Sequence, residues 1–267
     1  EIDTGTYMQP SDITFKKYAE DIWLPVYSRS VKASTIIIRK YGIKSLLDVF
    51  GQNTKLKDIS PIIFEKKMLD IFDDCSRSTA MSIYITAKII IKKAVKDGVI
   101  KNNPTDHFSP PRTIMTIEQA AESEVPKYLE KEQLAHFLTI VAERGHSDEK
   151  LLFRMLAYTG MRIGELCALK WSDIDFAKSE VSINKNYFGK SGAPLNYSIT
   201  TPKTIASKRK INIDKETLNL LKKHKLQQRF CKTMCSNWHD DFIFTHQDHP
   251  GYPIYPNLVR TRMKTIL

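Results

Sequence analysis

An arginine and a glutamate lie three residues apart in a stretch where glycines precede and follow the arginine. The stretch occupies residues 158–175 and has the sequence YTGMRIGELCALKWSDID. We expect Gly160 to end one helix and Arg162 to open the next, because glycine commonly terminates helices. The planar guanidinium of Arg162 could then hold two oxygens of one phosphate, braced by Glu165 one helical turn later. By itself, such a pair is more often an exposed ion pair of little energetic weight.

A second stretch, residues 184–213, contains cations and no acidic residue. Its six cations are Lys185, Lys190, Lys203, Lys208, Arg209 and Lys210. Short apolar patterns around it predict strands at 181–183, 197–200 and 210–213. A hairpin of this composition fits against a phosphate backbone, and we expect Lys185, Lys208 and Arg209 to contact DNA.

The chain as a whole is also basic. It has 41 Lys and Arg residues against 30 Asp and Glu residues, a net charge of +11 and a pI of about 9.3. Such a surplus favours a polyanionic partner such as nucleic acid, and a basic enzyme without that partner is the alternative. The apolar runs are too short to span a bilayer, and four cysteines in no disulfide pattern favour a reducing cytosol.

Two domains separated by a linker are expected. Residues 1–11 are polar and predict a leading linker, and residues 12–108 show helical spacing without a strand signal. Ser11 or Asp12 is the expected cap of the first helix. Further helices in this domain are expected at 33–49, 60–72 and 76–98. A polar stretch at 109–127, which begins Ser-Pro-Pro, predicts the linker between the domains.

The last helix of the first domain carries lysines on one face. Lys88, Lys92 and Lys96 are spaced four residues apart, so they lie one above another along the helix. Beside a DNA-binding domain they are expected to contact phosphates. A solvated helix face with no ligand is the alternative.

Residues 128–267 predict a second domain that mixes helices with short strands. Helices are expected at 130–144, 148–158 and 162–170, at about 214–235 with Asp214 as cap, and from Pro256 onward. Phe242–Phe244 predict a short buried strand or turn. The expected fold class is therefore mainly α with a small β-sheet.

The stretch at 158–175 resembles the first-arginine box of the tyrosine recombinases, the family of the phage-type integrases. That box has the pattern Thr-Gly-x-Arg-x-Gly-Glu, followed by Leu-x-Trp-x-Asp-Ile-Asp. The resemblance implies that Arg162 is a catalytic residue supported by Glu165. Residues 201–211, TPKTIASKRKI, resemble the family's β-hairpin lysine motif. By this resemblance Lys203 is the general acid that protonates the departing 5′-oxygen; a lysine that only holds DNA is the alternative.

The resemblance also implies a fold, a reaction and partners. The expected architecture is a SAM-like helical core-binding domain followed by an α+β catalytic domain that is incomplete at its C-terminus. In the intact enzyme, a tyrosine attacks a scissile phosphate during site-specific integration of a mobile element, leaving a 3′-phosphotyrosine bond, with no cofactor. Expected partners are duplex DNA at attachment sites, a tetramer of the same enzyme, an excisionase and a DNA-bending host factor. The expected location is the bacterial cytoplasm, at the nucleoid.

Part of the family's active site has no counterpart in these 267 residues. Seven histidines occur, and none is followed by arginine three positions later, as a His-x-x-Arg box requires. We therefore expect this box and the nucleophilic tyrosine to lie beyond Leu267, and we expect the chain to be a fragment. The alternative function is a catalytically inert DNA-binding fragment or regulator on the same fold.

A group of cysteines and histidines offers one further interpretation. Cys231, Cys235 and His239 are spaced four apart, with His246 and His249 downstream, and zinc uses such ligands. Structural zinc sites usually take their cysteines from knuckles outside helices, whereas these residues end a long amphipathic helix. We therefore expect no metal here, and we expect His239 to lie at the surface.

Overall fold

The structure of the chain is a computed structural model that describes residues 12–112, 128–146, 148–189, 195–202 and 207–266. The chain divides into two units, Glu1–Glu122 and Ser123–Leu267. Each unit has its own hydrophobic core. Among the helices of the described residues, none combines the length and the apolar character needed to cross a membrane.

The first unit is helical throughout its described residues. Its elements are α1 (Phe15–Lys17), a π-helical segment (Tyr18–Trp23), α2 (Leu24–Ser28), α3 (Ala33–Phe50), a 3₁₀ turn (Leu56–Asp58), α4 (Pro61–Asp74) and α5 (Arg77–Lys96). Ser60 and Ser76 cap α4 and α5, since their hydroxyls accept backbone N–H bonds from Ile63 and Thr79 at 3.3 and 3.4 Å. The sequence predicts α3, α4 and α5 closely from their periodic apolar faces, and from capping serines for α4 and α5.

The predicted cap of the first helix is wrong. Thr14 is the capping residue, and its hydroxyl accepts the backbone N–H of Lys17 at 3.2 Å. Asp12 instead forms ion pairs with Lys55 and Lys57, at 3.3 and 2.5 Å. Ser11 lies outside the described residues. The carboxylate thus pairs with lysines distant in sequence, and the helix begins two residues later than expected.

The core of the first unit forms where α3 crosses α5. Gly42 of α3 lies against Thr86 of α5, and a Cβ atom at position 42 would be 2.7 Å from the Thr86 hydroxyl oxygen. That hydroxyl also accepts a hydrogen bond from Arg39 Nη1 at 2.8 Å. Thr86 is fully buried, so the contact leaves no space for a larger residue at position 42.

The second unit combines helices with two small antiparallel sheets. Its elements are α6 (Lys131–Arg144), α7 (Glu149–Thr159), α8 (Ile163–Cys167), a 3₁₀ turn (Trp171–Asp173), β1 (Ile174–Asp175), β2 (Glu180–Ile183), β3 (Asn186–Gly189), β4 (Tyr197–Thr200), β5 (Arg209–Asn212), α9 (Lys215–Met234) and α10 (Pro256–Ile266). One sheet has the order β1-β2-β5, and β3 pairs with β4 in the other. The helices and the two small antiparallel sheets confirm the predicted fold class, mainly α with a small β-sheet.

Two local predictions in the second unit differ from the structure. The helix expected at 162–170 ends at Cys167, because a separate turn begins at Lys170. That turn is held by the Asp173 carboxylate, which accepts the Lys170 N–H at 2.9 Å, and by a bond from the Trp171 N–H to the Asp241 carbonyl at 3.1 Å. Strand β3 has no sequence prediction.

Replacement of Gly42 by alanine tests the α3–α5 contact. Alanine favours helices, yet its Cβ would overlap Thr86. We expect the overlap to outweigh the helix propensity of alanine and to lower the free energy of unfolding by about 1–3 kcal/mol. Chemical denaturation of the chain measures this change. Lys44→Ala, an exposed substitution in the same helix, is the control and should change stability by less than about 0.5 kcal/mol. Equal stability of Gly42→Ala and the wild type would contradict the predicted contact.

Candidate functional site

Arg162 lies on the turn that joins α7 to α8. Gly160 ends α7 in the left-handed conformation, with φ 60° and ψ 21°, which glycine adopts without strain. Arg162 then has extended backbone angles, φ −71° and ψ 149°, as the N-cap of α8. The predicted end of one helix and start of the next are confirmed. This geometry leaves the Arg162 side chain 71% exposed although its backbone is anchored in the fold.

The second glycine of the stretch brings α8 close to strand β3. A Cβ atom on Gly164 would lie 2.5 Å from Oδ1 of Asn186, the first residue of β3. A larger residue would press on the Asn186 side chain, which would have to move out of the way. Gly164 therefore fixes how closely the helix behind Arg162 approaches the β3–β4 hairpin.

A buried carboxylate joins Arg162 to a second arginine. Glu165 has a side chain only 2% exposed, and its Oε2 accepts the backbone N–H of Arg162 at 2.9 Å. Its Oε1 accepts from Arg162 Nη1 at 3.0 Å. Arg209, at the start of β5, donates Nη2 to Oε2 at 2.9 Å and Nη1 to Oε1 at 3.3 Å. Residues 44 positions apart in the chain thus share one carboxylate.

The electrostatics of this cluster favour an anionic ligand. Burial acts to raise the pKa of the Glu165 carboxyl, but hydrogen bonds from Arg209 and Arg162 outweigh it and hold the pKa below its usual range. Glu165 is therefore ionised near neutral pH, and two guanidinium groups surround one negative charge. An arginine has five N–H donors, and Arg162 uses one of them on Glu165 among the described residues. Its other donors can reach a phosphate in the solvent.

The pairing of Arg209 with Glu165 was not predicted from the sequence. The sequence prediction was that Arg209 contacts DNA. A signal for the pairing is present in the strand pattern. Arg209 and Ile211 are half-buried while Lys210 and Asn212 are exposed, so Arg209 lies on the inward face of β5. An arginine on the same face as an apolar strand residue needs a buried partner. Contact with DNA through the remaining donors of Arg209 stays a prediction.

The other cations of the hairpin segment have different surroundings. Lys185 donates its ammonium group to the Asp173 carboxylate, which is 5% exposed, so it stabilises the turn before β1. Lys208 is exposed beside Arg209. Lys203 lies outside the described residues, between the end of β4 at Thr200 and the start of β5.

The lysine face of the first unit is present as expected. Lys88, Lys92 and Lys96 are exposed along α5, and none forms an ion pair within the residues that the structure describes. Lys88 Nζ lies 5.8 Å from the centre of the Tyr84 ring. The adjacent Lys93 is bound to Asp97 instead. Contact of the three lysines with phosphates remains a prediction.

The cysteines and histidines near the end of α9 do not converge. Cys231 is exposed, and Cys235 is half-buried where the helix ends. The exposed His239 ring stacks on Tyr252 at 3.8 Å between centres, and its Nε2 lies 2.8 Å from the Tyr197 hydroxyl. Within the described ranges, no three His, Cys, Asp or Glu side chains are grouped as ligands of one ion.

Comparison with known proteins gives matches over both units. A model described as "Phage integrase family" matches residues 127–267. A second, described as "Phage integrase, N-terminal SAM-like domain", matches residues 14–68.

Individual relatives agree with these matches. The chain is 25% identical over 259 residues to a probable integrase of prophage ps2 from Lactococcus lactis, which covers 95% of this chain and 65% of that protein. It is 29% identical over 182 residues to the ICEBs1 integrase of Bacillus subtilis, which covers 66% of this chain and 45% of that one. The fold is similar to that of lambda integrase, solved as a tetramer bound to a Holliday junction, with a TM-score of 0.65 and 17% identity. This match covers 96% of this chain and 64% of the lambda integrase chain. The chain spans less than two thirds of the length of these proteins.

Glu165→Gln tests whether the shared carboxylate holds the two arginines. Removal of the charge leaves two guanidinium groups against a neutral amide, and we expect a loss of about 3 kcal/mol in the free energy of unfolding at pH 7. Because folding lowers the Glu165 pKa, its stabilising effect is complete above the unfolded pKa of about 4.3 and is lost as pH falls through the folded pKa.

The stability difference between wild type and Glu165→Gln should therefore narrow below about pH 4, which denaturation at several pH values measures. Glu143→Gln, an exposed substitution in α6, should show no such difference at any pH. A stability difference between wild type and Glu165→Gln that stays constant down to pH 2 would rule out stabilisation by an ionised Glu165 carboxylate.

Proposed function

We propose that this chain, which belongs to the phage integrase family, carries part of the active site of a tyrosine recombinase that integrates a mobile element by site-specific DNA recombination. The observation that carries the proposal is the buried Glu165 carboxylate, which supports an exposed Arg162 and a half-buried Arg209. The family resemblance of residues 158–175 and the geometry of the same residues lead independently to a phosphate ligand.

Arg162 is proposed to hold the scissile phosphate. In the family's reaction a tyrosine attacks this phosphate, and negative charge accumulates on the non-bridging oxygens in the transition state. A guanidinium fixed before the reaction stabilises that charge without rearrangement. Glu165 supplies the fixation, because it binds both the backbone N–H and the guanidinium of Arg162.

Lys203 is proposed as the general acid that protonates the departing 5′-oxygen. The support is its place in the chain, since the segment that contains it returns to β5 at Arg209. Arg209 is bonded to the carboxylate that also braces Arg162. Arg209, where this segment joins β5, is therefore held at a fixed position relative to the proposed phosphate site. A proton donor to the same phosphate needs such a fixed position.

The nucleophile is proposed to come from sequence outside these 267 residues. No histidine here is followed by arginine three positions later, and no tyrosine here follows such a box. We propose that this chain alone binds DNA without cleaving it; the rival function is a regulator that binds DNA on the same fold. Extension of the reading frame past Leu267 distinguishes them, because only the enzyme needs His-x-x-Arg followed by tyrosine.

Duplex DNA at attachment sites is the proposed substrate, bound by both units. Support comes from the net charge of +11 and the exposed lysines of α5. A tetramer on DNA is proposed for the intact enzyme, since lambda integrase was solved as a tetramer bound to a Holliday junction. An excisionase and a DNA-bending host factor are proposed as further partners, and the bacterial nucleoid as the location.

Binding to duplex DNA should weaken steeply with salt, because each neutralised phosphate releases counterions. The slope of log affinity against log salt should be about −0.9 for each phosphate contact. Replacement of Lys88, Lys92 and Lys96 by glutamine should make the slope shallower by up to about 3. Fluorescence anisotropy at several salt concentrations measures this.

A matched control removes three exposed lysines from α9, Lys215, Lys222 and Lys223, and so lowers the net charge equally. This control should change the slope less. The same change in slope for both triple variants would exclude the α5 face as a phosphate contact.

The proposed roles of Arg162 and Lys203 predict that their alanine variants respond differently, in the full-length enzyme, to a substrate in which sulfur replaces the 5′-oxygen. Arg162→Ala should slow cleavage by about 10²–10³, as loss of one fixed donor to a transition-state charge does. Lys203→Ala should be slow on normal DNA but recover when sulfur replaces the 5′-oxygen, because a thiolate leaves without a proton. Single-turnover cleavage of both substrates measures this.

Lys210→Ala serves as control, since Lys210 is an exposed cation on β5 that lies 3.6 Å from Glu180. It should cleave both substrates at nearly the wild-type rate. If sulfur rescues neither variant, Lys203 is not the acid, although Arg162 can still hold the phosphate.

A further inference from the structure

The second half of helix α9 carries an apolar stripe that faces solvent. Leu226, Phe230 and Met234 are 66%, 69% and 76% exposed, and their spacing of four places them on one face of the helix. An open cavity of about 770 Å³ adjoins the stripe and is lined in part by Leu226 and Phe230. Single exposed apolar residues are ordinary, but a continuous run of them marks a surface that binds another protein.

Cations accompany this stripe. Lys222 and Lys223 are exposed one turn before Leu226, and Arg229 is exposed beside Phe230. None of the three cations forms an ion pair within the part of the chain that the structure describes. DNA could bind the cations, but a phosphate backbone does not bury apolar side chains. The face therefore fits a protein surface that is both apolar and acidic.

Helix α4 of the first unit has a surface of that kind. Ile62 is 80% exposed and Leu69 is 40% exposed, and their spacing of seven places both on one face. Glu65, Asp70 and Asp73 are exposed on or beside this face, and none forms an ion pair among the described residues. The C-terminus of a helix carries a partial negative charge, which adds to that of Asp73 in the last turn.

The two stripes match in length and in order when the helices run antiparallel. At 1.5 Å per residue, residues 222–234 of α9 span about 18 Å and residues 62–73 of α4 span about 17 Å. The acidic end of α4 then lies against the cationic end of α9, and the apolar residues meet along the rest. Lys66, on the same face of α4, falls opposite Phe230, where its ammonium group can lie over the ring.

We propose that α9 of one copy of this chain binds α4 of a second copy through these two stripes. Each stripe lies within one unit, and the contact uses different surfaces of the two copies. The proposal rests on the proposed function in one respect, since it gives the tetramer of the intact enzyme a contact between copies. A contact between two helices is small, so the association is weak and gains weight when DNA holds several copies close together.

Charge reversal on either helix tests the pairing in the full chain without DNA. Sedimentation velocity at up to about 1 mM protein should show self-association of the wild type, a range that suits weak contacts. Lys222→Glu with Lys223→Glu should weaken the association about tenfold, because like charges then face each other. Asp70→Lys with Asp73→Lys should weaken it equally. All four changes in one chain should restore it.

A mixture of the two double variants shows whether the contact joins separate copies. The α9 variant keeps a normal α4 and the α4 variant keeps a normal α9, so one contact between them remains possible. The mixture should form dimers that neither variant forms alone under the same conditions. A mixture that stays monomeric would overturn the inference.

Phe230→Ser tests the apolar part of the contact. It should also weaken self-association about tenfold, because the ring no longer leaves water when the copies meet. Leu195→Ser is the matched control, since Leu195 is another exposed apolar residue of the second unit, at 56%, and lies outside both stripes. It should leave self-association unchanged. All these positions are exposed, so each variant should melt at nearly the wild-type temperature.

The outcomes separate this inference from the proposed function. A wild type that stays monomeric at about 1 mM would overturn the inference and leave DNA binding untouched. Normal self-association of the α9 variant together with weaker DNA binding would also overturn it, because Lys222 and Lys223 would then serve DNA. If the wild type fails to bind DNA in the anisotropy experiment, the proposed function fails, and sedimentation still decides whether α9 binds α4.

Discussion

The ionised Glu165 carboxylate is the interaction on which the second unit depends. It binds the backbone and guanidinium of Arg162 on one side and the guanidinium of Arg209 on the other. Without the carboxylate, the guanidinium groups of Arg162 and Arg209 would repel each other. A buried carboxylate without partners would in turn cost several kcal/mol. The buried carboxylate is therefore tolerable only because the two guanidinium groups are present. The cluster joins the turn before α8 to the first residue of β5, so the position of Arg162 follows from the fold of the sheet.

The cations of the basic hairpin segment that the structure describes differ in their surroundings. Lys185 and Arg209 bond to Asp173 and Glu165, two buried carboxylates of the 158–175 stretch. They stabilise the fold, and the acids that they neutralise no longer repel an anion. Lys208, by contrast, is exposed to solvent. Two of the three acidic residues in the stretch are thus paired inside the fold, whereas Asp175 is partly exposed and lies 3.9 Å from Lys178.

Much of this arrangement could be predicted from the sequence, for local reasons. Gly160 ends a helix through its left-handed backbone, and the three-residue spacing places Glu165 beside Arg162; both depend on neighbours in the chain. The pairing of Glu165 with Arg209 depends on strand β5 returning from 44 residues away, which spacing alone does not reveal. The early end of α8 has the same origin, since the Trp171 N–H bonds to the distant Asp241 carbonyl. Local signals predicted the elements, and long-range bonds decided the rest.

Gly164 shows that an uncharged position in the 158–175 stretch also shapes the surroundings of Arg162. Gly164 permits α8 to lie against the side chain of Asn186, the first residue of β3. A methyl group at position 164 would overlap the Asn186 side chain, which would have to move although no charge changes. Because a close-packed interior transmits such displacements rather than absorbing them, a phosphate site assembled from separate elements requires small residues where those elements meet. The close approach of α8, the helix that begins after Arg162, to β3 therefore depends on a residue that carries no charge.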